Sequence, residues 1–219
     1  MKVLFVGLFL CLAAGAMLAQ TATPTPPVKA NARPTPSPTT SNASEPYDKA
    51  DAATMASKCV ILSTDSGDIE MELFPESAPE TVRNFLNLVA IGAFDTTTFS
   101  RVVPGFVVQG GNIWTRSGGL SMELAARARR TIPDEPSKIL HERGIVSMAR
   151  PDTPNAATTN FFILVDSDPN LDGTFSAFGR VTHGMDVVDA INKAPVTGEK
   201  PDKPVRVKTA KITACTPVS

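Results

Sequence analysis

The chain has 219 residues, a length that fits one domain with an appendage better than two full domains. Its 21 Lys and Arg residues against 22 Asp and Glu leave a formal net charge of -1, so no global basic field draws it onto nucleic acid, and no nucleic-acid partner is expected. Hydrophobic residues make up 42% and charged residues 20%, ordinary globular material, and the one excess is proline, with 19 residues. Pro24, Pro26, Pro27, Pro34, Pro36, Pro38 and Pro46 all fall near the N-terminus.

Lys2 supplies a positive start, residues 3–12 an apolar run and Met17-Leu18-Ala19 a small-residue ending, so residues 1–19 read as a secretory signal peptide. The run is shorter than the ~20 apolar residues of a membrane span, and no membrane insertion of the mature chain is expected. Residues 20–57 are largely Thr, Pro, Ala and Ser with almost no large apolar side chain, the composition of a disordered, semi-stiff spacer. The folded unit is then expected over 58–219, exported to a periplasmic or extracellular space. Cys59 and Cys215 stand at its two ends in a compartment that permits disulfides. Cysteines so placed suggest that the first and last segments meet; two buried free thiols are the other reading.

Residues 59–64 and 68–74 are β-rich runs around Asp65-Ser66-Gly67, a hairpin in which glycine takes a positive φ. Pro79 opens a helix whose Val82, Phe85, Leu86 and Val89 form one apolar stripe, and Gly92 offers its stop. Further strands are expected over 97–103, 106–109, 144–149, 160–165, 176–181 and 205–214, with a short helix near 185–191. Residues 118–130, ending in Arg127, Arg129 and Arg130, read as a short basic helix with a solvated face. Many antiparallel strands, few helices and chain ends that can pair point to a mainly β fold closed into a barrel.

The chain has no Gly-rich phosphate loop, no His-Glu-x-x-His and no cysteine pair at zinc spacing, so neither a cofactor nor a metal is expected. Neither Ser147 nor Ser176 lies in a Gly-x-Ser-x-Gly elbow, which leaves a hydrolase triad little support. What stands out is Phe99-Ser100-Arg101-Val102-Val103-Pro104-Gly105-Phe106-Val107-Val108-Gln109-Gly110-Gly111. Phe99 and Arg101 share one face of a strand there, and Phe106 and Gln109 follow a Pro-Gly turn.

This segment resembles the cyclophilin family of peptidyl-prolyl isomerases. The resemblance continues in family order through Gly144-Ile145-Val146-Ser147-Met148-Ala149, Asn160-Phe161-Phe162-Ile163, Leu171-Asp172-Gly173 and Phe178-Gly179-Arg180-Val181, and covers essentially all of 59–215. It implies a closed eight-stranded antiparallel barrel capped by two helices, and a cofactor-free peptidyl-prolyl cis-trans isomerase that assists the folding of exported proteins. It also implies that Arg101 hydrogen-bonds the prolyl nitrogen as the amide twists, with Gln109 steadying it. Phe106, Met148, Phe162 and Leu171 would form the pocket for the proline ring. Ala149, Arg150 and Asn160 would bind the residues before proline. Three departures alter the rim: Phe175 stands where the family often has His, Asn170 where it has Trp or Phe, and Asn160 where it has Gln. The resemblance places Cys59 and Cys215 on neighbouring strands, where register decides whether they bond. The expected partners are proline-containing polypeptides, bound by a monomer. The other reading is a tethered proline-binding or chaperone module with little turnover.

Overall fold

The computed structural model describes residues 44–215. The expected signal peptide, 1–19, lies outside the described residues, as does most of the expected spacer. The strands are β1 Lys58–Thr64, β2 Gly67–Leu73, β3 Arg101–Val103, β4 Val107–Gly110, β5 Ile145–Met148, β6 Phe161–Leu164, β7 Ala177–His183, β8 Val196–Thr197, β9 Lys200–Pro201 and β10 Val207–Ala214. The helices are α1 Ala52–Ala56, α2 Pro79–Ala90, α3 Met122–Arg127 and α4 Met185–Asn192. Eight strands form one antiparallel sheet in the order β10-β1-β2-β7-β5-β6-β4-β3, and β8 pairs with β9 as a separate hairpin.

The β1–β2 hairpin turns where glycine is needed: Gly67 has φ 132 and lies opposite Thr64, whose hydroxyl donates to the Gly67 carbonyl at 2.6 Å. Strand alternation then carries Val60, Leu62, Ile69 and Met71 into the core. The α2 stripe buries Val82, Phe85, Leu86 and Val89 against the same core. There Phe85 meets the rings of Phe94, Phe161 and Phe178 at centroid separations of 5.3, 5.4 and 5.0 Å. Pro79 has no amide to satisfy at the start of α2, and the Glu135 carboxylate accepts from the next two, Glu80 at 3.0 Å and Thr81 at 2.7 Å. The second long helix, α4, buries Val188 and Ile191.

The sheet is an open half-barrel, which corrects the closed barrel expected from the sequence. β3 and β10 lie at its opposite ends and form no ladder with each other. The seam carries an isolated bridge between Thr98 and Arg206, with the Phe99 amide donating to the Val205 carbonyl at 3.0 Å and the Val207 amide to Thr97 at 2.8 Å. A full ladder fails because β3 is only three residues long and its outward amide is taken: Val102 N–H donates to the carbonyl of Glu199, between β8 and β9, at 2.8 Å.

The packed chain also begins before residue 58. Met55 on α1 is fully buried and Tyr47 packs against the core. Arg83 of α2 donates to the carbonyls of Tyr47 at 2.7 Å and Ala50 at 2.6 Å, and Asn87 accepts the Tyr47 amide at 2.8 Å. Composition averaged over 20–57 hides these two apolar anchors and the polar side chains waiting for the backbone between them. Residues 118–130 do contain a helix, but its basic face is not solvated throughout. Arg127 is half-buried in an ion pair with Glu45 and donates to Asn84 Oδ1 at 2.9 Å, while Arg130 reaches Glu45 at 3.2 Å.

Cys59 and Cys215 are joined by a disulfide, with Cα atoms 4.8 Å apart. Cys59 lies opposite Thr213, and the Cys215 amide donates to Ser57 at 3.2 Å. Cys215 is therefore two residues beyond the partner of Cys59, and the period of two puts both side chains on one face.

Candidate active site

The site is built on the outer face of β3, β4 and β6. Arg101 lies opposite Gln109 in the β3–β4 ladder, and Gln109 lies opposite Phe162 in the β4–β6 ladder, so the three side chains share one face in consecutive strands. Alternation sends the neighbouring Phe161 into the main core, where it meets Phe85 edge-on, and leaves Phe162 for the site. Phe106 is presented by the loop 104–106. That loop is braced by the buried Asn192 at the end of α4, which accepts the Gly105 amide at 2.8 Å and donates to the Val103 and Val107 carbonyls at 2.9 and 3.1 Å.

A cavity of about 220 Å³ is lined by Arg101, Phe106, Val107, Gln109, Ala149, Arg150, Phe162, Leu171 and Phe175. An adjoining, more polar cavity of about 430 Å³ shares Arg101, Gln109, Ala149 and Arg150 and adds Asn160, Pro151, Ala156 and Thr158. Every expected site residue except Met148 therefore borders one of the two. Met148 is buried in the main core because it has the parity of Val146 on β5, facing away from the site. Val107 takes the place expected of it, and the signal was available, since Val107 and Gln109 share parity on one strand. Pro151, Ala156 and Thr158 carry no chemical signature that would have marked them.

The rim is a stack. Phe175 meets Phe162 edge-on at 5.8 Å, and the Arg150 guanidinium sits 5.0 Å over the Phe175 ring. Arg150 is held there by Asp134 at 3.3 Å and by the carbonyl of Pro151 at 3.0 Å. Asn170 is exposed at the edge and donates its amide group to Asp168 at 2.8 Å. On the other side Arg101 donates through Nε and Nη2 to the Glu199 carboxylate at 2.6 and 3.1 Å, and through Nη1 to Gln109 Oε1 at 3.3 Å. The hydrogen bond from Arg101 holds the Glu199 carboxyl below its ordinary value.

Beneath the site lies an arrangement with the residue types of a hydrolase triad. A His141 ring protonated on Nδ1 donates to Asp172 Oδ1 at 3.1 Å and accepts through Nε2 from the Ser147 hydroxyl at 3.1 Å. Ser147 is 0% and His141 2% exposed, so no acyl group can reach the hydroxyl. The network is a strap instead: it ties Asp172, next to the pocket residue Leu171, to β5 directly across from Phe162. The Asp172 carboxyl is held below its ordinary value of 3.8, chiefly by the His141 backbone amide, which donates to it at 2.7 Å. A carboxylate with a lowered folded value adds stability above its unfolded value, and that stability is lost as pH falls through the folded one. Asp172→Asn is accordingly expected to lower the denaturant midpoint at pH 7, with the gap between the two proteins closing as pH falls from 3.8 through the lowered folded value. A gap that stays constant from pH 7 to 3 would overturn this.

A strand-built apolar pocket, with the Arg101 guanidinium oriented at its mouth by Glu199 and Gln109, can take an apolar ring and offer hydrogen bonds to a polar group beside it. Comparison agrees: residues 59–212 match the family described as cyclophilin type peptidyl-prolyl cis-trans isomerase/CLD, and the chain belongs to that family of isomerases. It is 36% identical over 146 residues to peptidyl-prolyl cis-trans isomerase CYP23 of Arabidopsis thaliana, a match over 66% of this chain and 65% of that one. It is 35% identical over 172 residues to peptidyl-prolyl cis-trans isomerase A of Dickeya dadantii, covering 73% of this chain and 87% of that one. Among solved structures it resembles a cyclophilin type peptidyl-prolyl cis-trans isomerase of Cryptosporidium parvum, with a TM-score of 0.64 at 30% identity, covering 73% of this chain and 99% of that one.

Proposed function

We propose that the chain accelerates cis-trans isomerisation of X-Pro bonds in exported polypeptides, with Arg101 as the catalytic donor. The uncatalysed barrier is ~18–20 kcal/mol because the C–N bond must lose its double-bond character. Twisting localises the lone pair on the prolyl nitrogen, and a donor aimed at it binds the twisted form better than either planar isomer, which is the condition for raising the rate. Phe106, Val107, Phe162 and Leu171 hold the ring in the 220 Å³ cavity. Gln109 steadies the guanidinium, and the cavity shared by Ala149, Arg150 and Asn160 takes the residues before proline.

The observation that carries this reading is the placing of an oriented Arg101 guanidinium at the mouth of the apolar pocket. The Cryptosporidium parvum relative has also been solved in the presence of the dipeptide Ala-Pro, which supports an X-Pro unit as the minimal ligand here. Export is supported by the apolar N-terminal run and the Cys59–Cys215 bond, since disulfides persist in oxidising compartments. The mature chain works as a monomer on its leading spacer, without cofactor, nucleic acid or membrane insertion.

NMR exchange spectroscopy on an Ala-Pro peptide with substoichiometric full chain tests the reading. Accelerated cis-trans exchange is expected. Saturable binding with no rate enhancement would replace it with a tethered proline-binding module.

A further inference from the structure

Glu199 stands between β8 and β9, just after Gly198 in the left-handed region at φ 65. Its carbonyl accepts the Val102 amide at 2.8 Å, which fastens the hairpin tip to β3 one residue from Arg101. Its carboxylate takes the side of the guanidinium, Nε to Oε2 and Nη2 to Oε1, at 2.6 and 3.1 Å. Gln109 Oε1 takes Nη1 at 3.3 Å. A guanidinium presents five N–H groups in one rigid plane. Three are thus committed to two anchors, one on β4 and one in the β8–β9 turn, and one hydrogen is left on each Nη.

Two anchors fix a plane where one leaves it free to swing, and Arg is a long side chain with much rotamer freedom to lose. An exposed ion pair by itself contributes little, but a bidentate pair whose acid is pinned through its own backbone differs from an isolated surface contact. We infer that Glu199 is a positioning residue for the isomerisation: it holds Arg101 so that its two remaining N–H groups face the twisting prolyl amide. This rests on the reading of Arg101 as the catalytic donor. The carboxylate acts through the guanidinium, and its loss should lower turnover while leaving the apolar pocket, and so peptide affinity, intact.

The experiment compares the full chain with Glu199→Ala, Glu199→Gln, Arg101→Ala and the Arg101→Ala/Glu199→Ala double variant. Exchange rates at saturating peptide are read beside peptide affinity and the Arg101 Nε–H NMR signal. Glu199→Ala is expected to lower kcat about tenfold with less than about a twofold change in affinity, since small misplacements of a catalytic group cost that much or more. Its Nε–H signal should shift and exchange faster with solvent. Glu199→Gln, which keeps one acceptor oxygen, should fall between it and the parent. The double variant should be no slower than Arg101→Ala alone, because the second deletion has nothing left to position. A Glu199→Ala protein that folds and keeps the parental kcat while Arg101→Ala is inactive overturns this inference and leaves the isomerase reading standing. An active Arg101→Ala protein overturns both.

Discussion

Arg101→Ala is expected to lower kcat/KM for an X-Pro peptide by at least about 100-fold, the scale seen when one oriented donor is removed from a developing charge. The fold should survive, because Arg101 is half-exposed and its partners Gln109 and Glu199 both reach water when it is gone. Arg101→Lys should rescue little of the loss. A lysine carries the charge, but it cannot bond Glu199 through two nitrogens of one plane and still offer fixed donors to the amide. Measuring both variants in the same exchange assay separates charge from geometry: parental activity in Arg101→Lys would show that a positive charge near the pocket is sufficient. Full activity in the alanine variant would remove Arg101 from the chemistry altogether.

The second large effect concerns stability. The Cys59–Cys215 bond spans a sequence separation of 156 residues, for which the chain-entropy account gives an upper figure of about 5 kcal/mol of stabilisation. A Cys59→Ser/Cys215→Ser chain is therefore expected to lose about 3–5 kcal/mol, read as a lower midpoint in urea against the oxidised parent. Equal midpoints would show that the β1–β10 ladder holds the ends without help from the bond.

Much of this arrangement is legible in the residues themselves. The α2 stripe, the glycine hairpin at 65–67 and the Pro-Gly turn that precedes Phe106 and Gln109 are local patterns, and local physics settles them. Phe162 could be told from Phe161 only through the resemblance, and strand parity then explains why both are needed. The open seam was not legible, because it depends on which neighbour claims one amide of β3, and Glu199 lies 98 residues from Arg101 with no motif to mark it. Tyr47 and Met55 were lost in a proline-rich background: two anchors matter only when Arg83 and Asn87 are found to be waiting for the backbone between them. Met148 was misplaced for the opposite reason, as its one-position offset from Ser147 on β5 reverses the face it occupies.

The hairpin that carries Glu199 has a second consequence, for release of the client. A folding catalyst meets extended, unfinished chains, whose own amides and carbonyls seek partners, and a bare strand flank beside the pocket would let such a chain add itself to the sheet and stay. Val102 presents that flank, and the Glu199 carbonyl already occupies its amide. With that amide taken, strand addition at Val102 is blocked, and a client bound as proposed would be held by its proline ring and the polar groups of the adjoining cavity.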